Sequence, residues 1–133
     1  MSLPYNLDDV RRCPGMYATF PSFDMMTAFL MGIDQATDDE FLKGFHDWLV
    51  PKVGFAANLV WSALVLYLAF PGTENARSSL IAPLGEATAF DCLFDNLEEF
   101  LAEKQKEGGL QTIQHRYQEW LKSQEWYDET VHG

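Results

Sequence analysis

Apolar residues recur at helical spacing along most of the chain, and no stretch keeps the strict apolar–polar alternation of a half-buried strand. Asn6 reads as the cap of a short helix over Leu7, Asp8, Asp9, Val10 and Arg11, which Pro14-Gly15 ends in a turn. Ser22 caps a second helix over residues 23–36, with Phe23, Met26, Phe29, Leu30 and Ile33 on one face. Thr37-Asp38-Asp39 predicts the start of a third. Phe41, Leu42, Phe45, Trp48 and Leu49 line its inner side, and Lys43 and Asp47 form an outer i, i+4 pair. Pro51 breaks or kinks that helix.

The most apolar stretch follows. No charged residue occurs from Val53 to Phe70, and Pro51 and Pro71 bracket the segment. A helix of that length is about 27 Å long at 1.5 Å per residue, short for a bilayer core of about 30 Å. Gly54, Asn58 and Ser62 also share one of its faces. The pattern fits a buried central helix over residues 55–70 better than a membrane span. Residues 73–85 read as irregular, with one turn of helix before Pro83. A fifth helix is expected over residues 86–106, with Phe90, Leu93, Leu97, Phe100 and Leu101 inward, and Gly108-Gly109 ends it. The last, over residues 110–123, offers Leu110, Ile113, Tyr117, Trp120 and Leu121, after which Trp126 and Tyr127 tack down the tail. The expected fold is therefore all-α: one domain over residues 1–133, a compact bundle of five to six helices around the apolar segment at 55–70.

Composition narrows the functional classes. The 133 residues are 47% hydrophobic and 14% aromatic, and nine basic against twenty acidic residues leave a formal charge of −11. A chain of this length folds without a metal or disulfide, and such a charge repels phosphate backbones and anionic lipid. Lys104 and Lys106 come nearest to a basic patch, and Glu103 and Glu107 flank them. Neither nucleic acid nor membrane is an expected partner. The N-terminus lacks the basic and apolar regions of a secretory signal, and Cys13 and Cys92 stand alone outside any CxxC spacing. Both features point to a reducing, cytoplasmic setting.

Candidate chemistry is sparse. The single Glu-x-x-His spacing, Glu129 to His132, lies at the end of the chain, and neither His46 nor His115 has a zinc-ligand partner at the usual spacing. No glycine-rich phosphate loop follows a strand, and no local signature turns Cys13, His46 and His115 into a nucleophilic set. No metal, cofactor or catalytic residue is expected, and no enzyme. Arg11-Arg12-Cys13-Pro14-Gly15-Met16-Tyr17 resembles the Arg-Pro-Gly-Met-Tyr-Ile-Gly loop of type II topoisomerase ATPases. However, Cys13 interrupts it, Ala18-Thr19 replaces its end, and the metal-binding Asn and the Asp-x-Gly-x-Gly segment of that fold are missing.

A wider resemblance runs through Arg12-x-Pro14-Gly15-Met16-Tyr17, Ser22-Phe23-Asp24 and Phe29-Leu30-x-Gly32-x-Asp34-x-Ala36. It continues through Gly44-Phe45-His46-Asp47-Trp48-Leu49, Asn58-Leu59-Val60-Trp61, Phe70-Pro71 and Tyr117-x-x-Trp120-Leu121. This order is similar to a family of small bacterial proteins found among the immunity proteins that stand beside secreted polymorphic toxins. The resemblance implies a cytoplasmic inhibitor that occludes a toxin, for instance a nuclease, without turnover. Acidic side chains would then steer and mimic phosphate against a basic partner protein. The candidate partner-binding residues form two clusters: Asp34, Asp38, Asp39 and Glu40 around the loop after the second helix, and Asp91, Asp95, Glu98 and Glu99 on the fifth. Two other classes remain open. One is a homo-oligomeric structural or regulatory module, possible as a homodimer, that uses its aromatic surplus for self-association. The other is a small-molecule enzyme with a polar groove around His46, Asn58 and Ser62.

Overall fold

A computed structural model describes residues 7–12 and 22–124. Its helices are α1 (Leu7–Arg12), α2 (Phe23–Ala36), α3 (Phe45–Val53), α4 (Trp61–Ala69), a 3-10 helix (Ala76–Ile81), α5 (Gly85–Lys104) and α6 (Gly109–Lys122). There is no strand among the described residues, and the helices pack on one another as an all-α bundle. Asn6, Cys13, the Pro14-Gly15 turn, Trp126, Tyr127, Glu129 and His132 lie outside the described residues.

The bounds of α2 follow its sequence signals. Ser22 accepts a hydrogen bond from the Met25 N–H at 3.2 Å, and Glu86 of α5 accepts another from the Phe23 N–H at 2.7 Å. Two of the four orphan donors at the helix start are thus satisfied, one locally and one across the bundle. Phe23, Met26, Leu30 and Ile33 are buried as the periodicity requires.

The next helix starts later than its apolar spacing predicts. Thr37 closes α2, and Asp38 and Asp39 both take left-handed backbone conformations, with φ of 54° and 64°. A helix cannot begin through two such residues, so residues 37–44 form a compact turn. Thr37 Oγ1 accepts from the Phe41 N–H at 3.1 Å and Asp34 Oδ1 from the Leu42 N–H at 2.8 Å. Those bonds let Phe41 and Leu42 reach the core outside any helix. Gly44 then caps α3 at φ 93°, and a Cβ there would lie 2.7 Å from the Leu110 side chain of α6. The expected Lys43–Asp47 pair does not form. Lys43 instead reaches Glu40 at 3.9 Å, and Asp47 bonds His46.

Pro51 leaves Asp47 without its i+4 amide donor, and α3 ends two residues later, at Val53. Gly54 caps it at φ 87°. The predicted apolar helix is shorter than its uncharged stretch: residues 55–60 are irregular, and α4 begins only at Trp61. Ala56 is left-handed at φ 63°, which interrupts any helix through it, and Val60 stays 67% exposed. Pro71-Gly72 stops α4 as expected, and the turn before Pro83 is the 3-10 helix.

The core joins all these elements. Phe45 lies 5.0 Å from Phe100, 5.5 Å from Trp61 and 6.1 Å from Trp48, ring centre to ring centre, so one aromatic cluster ties α3, α4 and α5 together. Leu64, Val65 and Leu66 of α4 are buried in the same core. α4 packs on α3, α5 and the 3-10 helix, while α5 packs on α2, α3, α4, α6 and the 3-10 helix. The longer α5 thus shares the central position with α4.

Candidate functional site

The two acidic clusters occupy different parts of the surface and differ in chemical state. On α5, residues four and seven apart share a face, which brings Asp91, Asp95 and Glu98 together. The Arg11 guanidinium of α1 sits over all three, at 3.7 Å from Asp91, 2.7 Å from Asp95 and 3.3 Å from Glu98. Arg11 is itself only a quarter exposed, and its hydrogen bonds to Asp95 and Glu98 outweigh burial and hold its proton more tightly than usual. Glu99, on the adjoining face, is bound by Lys52 of α3 at 3.1 Å, and Lys52 also donates to Asn96 Oδ1 at 2.9 Å. All four predicted α5 acids therefore fasten other helices to α5.

The loop cluster divides. Asp34 is half-buried and caps the Leu42 N–H, a structural task. The Glu40 carboxylate makes a long contact to Lys43, and its backbone carbonyl, with that of Phe41, accepts from Lys104 of α5. Burial pushes the Lys104 ammonium below its ordinary pKa, against the pull of Glu40 and Asp34. Asp38 and Asp39 are exposed, and no cation reaches them among the described residues.

A further acid of structural weight lies outside both predicted clusters. Glu103 accepts from Trp48 Nε1 at 2.7 Å and is gripped by Arg116 of α6. The Arg116 hydrogen bond, with the indole's help, holds its carboxyl below the usual range despite partial burial. Lys52 lies 4.4 Å above the Trp48 ring within α3, and the Lys52–Glu99 and Arg116–Glu103 ion pairs link α3 and α6 to α5. The sequence signal for Glu103 is faint: it lies one turn after Glu99 and thirteen residues before Arg116.

The groove envisaged around His46, Asn58 and Ser62 takes another form. A cavity of about 430 Å³ opens between residues 54–58 and α6. Asn58, Phe55, Tyr117 and Trp120 line it. His46 stands behind the loop, half-buried, with Nδ1 3.0 Å from Asp47 Oδ1, Nε2 2.8 Å from the Ala57 carbonyl oxygen and its ring edge-on to Tyr117. These bonds raise its pKa, the Asp47 contact most, with burial opposing.

Cys92 is half-buried beneath the Val65 carbonyl, and burial pushes its thiol up, the opposite of an activated nucleophile. His115 is exposed. No three His, Cys, Asp or Glu side chains converge on a metal-sized site among the described residues, and no helix there is long and apolar enough to cross a membrane. No family model, curated protein or solved structure matches the chain.

Proposed function

We propose that the protein is a protein-binding module of the immunity type, which blocks a basic partner by occupying its site and catalyses nothing. One observation carries this reading: within a chain of net charge −11, Asp38 and Asp39 stand exposed in a tightly braced turn and meet no cation among the described residues. The turn is held by Thr37, Asp34 and Lys104, so little ordering remains to oppose binding. A preorganised pair of carboxylates speeds encounter with a cationic cleft and can take the place of a phosphate there. The α5 acids support the turn only at long range, since Arg11 and Lys52 already engage them. The test is co-expression with the product of the adjacent gene. Growth rescue by the wild type, lost in Asp38→Asn/Asp39→Asn, is expected. Toxicity that persists beside the wild-type chain removes the proposal.

A self-associating module is the second reading, favoured by Ile81 at 92% and Leu84 at 80% exposure where the 3-10 helix meets α5. Light scattering coupled to size exclusion separates the two. A dimer that Ile81→Ser/Leu84→Ser dissolves supports self-association, and a monomer at all concentrations supports the first reading.

A further inference from the structure

Both ring nitrogens of His46 face oxygen atoms that only accept hydrogen bonds. Nδ1 meets the Asp47 carboxylate at 3.0 Å, and Nε2 meets the Ala57 carbonyl at 2.8 Å. A neutral imidazole carries one N–H, so one of the two contacts would set a lone pair against an oxygen. Only the imidazolium satisfies both. The contact at Nε2 joins the first turn of α3 to residues 54–60, an irregular segment that contains no charged residue. That segment holds Ala56 in a left-handed conformation and retains a turn bond from the Leu59 N–H to the Ala56 carbonyl at 3.0 Å. Strain of this kind persists only while the surroundings over-determine it, and the His46 bond to the next residue is one such restraint.

We propose that His46 is a proton-operated latch: as the imidazolium it pins residues 55–60 to α3, and on losing the Nε2 proton, with the remaining N–H held at Nδ1 by the Asp47 carboxylate, it frees them and widens the cavity beside Tyr117 and Trp120. The groups around the ring are few. Asp47 comes from its own helix, the loop supplies carbonyl oxygens only, and α6 presents Tyr117. Of the neighbouring ionisable residues on α6, His115 is exposed and Arg116 is occupied by Glu103. Asp47 is thus the charge that favours the bound proton. The raised pKa of His46 fixes the sense of the switch. The latch is fully closed below the ordinary histidine value of about 6.5 and opens as pH rises through the higher folded-state value.

The experiment uses the full chain. NMR follows the His46 ring shifts and the hydrogen exchange of the Leu59 amide, which donates to the Ala56 carbonyl, between about pH 5.5 and pH 8.5, a range that brackets histidine titration, with exchange corrected for its intrinsic pH dependence. Protection at this amide should fall about tenfold across the His46 transition, the loss expected for one charge-assisted hydrogen bond. His46→Gln, whose amide can donate to Ala57 with no proton to lose, should abolish the transition. Asp47→Asn should leave the chain folded and move it to lower pH. Protection that stays constant while His46 titrates, or an unchanged transition in His46→Gln, overturns the latch. So does a His46 that titrates no higher than a free histidine.

Discussion

The acidic turn at residues 37–40 and the acidic face of α5 look alike as strings of letters, yet one is an open charge and the other a closed joint. Arg11 bridges to α5 across more than eighty positions of sequence, and Lys52 across more than forty. Among the described residues, no comparable cation reaches Asp38 or Asp39 in the turn. Local charge density therefore does not mark a binding surface by itself. What matters is whether the tertiary fold delivers a counter-charge. A buried or bridged carboxylate is tied to stability, and an uncompensated exposed one is available to a partner.

The contrast can be broken most strongly at the Glu103 joint. Glu103→Ala leaves the nearly buried Trp48 N–H without an acceptor and should cost about 2 kcal/mol in urea unfolding. The same group makes stability depend on acid. Its folded-state pKa is depressed, so its contribution is present above about pH 4.5 and is lost as pH falls through the lower folded value. Glu103→Gln should flatten that part of the stability curve measured by thermal melts. Next comes Arg11→Gln, which leaves Asp91, Asp95 and Glu98 facing one another. A loss of about 1 kcal/mol is expected after allowance for the exposure of the carboxylates, and added salt should recover part of it. In the turn, backbone conformation decides the outcome rather than the charge removed. Asp39→Gly suits φ 64° and should leave stability within about 0.5 kcal/mol or raise it, whereas Asp39→Val should lose about 1 kcal/mol in the same melts. Lys43→Ala, with its contact at 3.9 Å, should change nothing beyond about 0.3 kcal/mol. A large effect there would mean that the turn is held by charge rather than by Thr37 and Asp34.

Much of the helical framework is legible in the sequence. The periodicity of residues 23–36, the Ser22 cap, the stop at Pro71-Gly72 and the long fifth helix all appear close to where the sequence puts them. The errors cluster where apolar spacing continues through backbone that is not helical. Phe41 and Leu42 keep helical phase with Phe45 and Trp48, so they read as part of α3. They are buried through caps supplied by Asp34 and Thr37, and the left-handed pair Asp38-Asp39 stops the helix. Residues 55–60 are uncharged, so they read as the start of α4. Gly54 was the available warning, because a glycine just after a last helical turn signals termination. Of the candidate site, the residues were readable but their states were not. Nothing near Asp95 announces Arg11, and nothing near His46 announces that Ala57 will stand against Nε2, because both contacts depend on how helices dock.

Cys92 sits where α4 meets α5, its sulfur beneath the backbone of Val65 and beside Asn96. That position makes it a native reporter of the seam between the two helices. With Cys13 replaced by serine, alkylation of the remaining thiol would quicken as the seam parts, and its rate under increasing denaturant would chart the opening of the bundle without any added label.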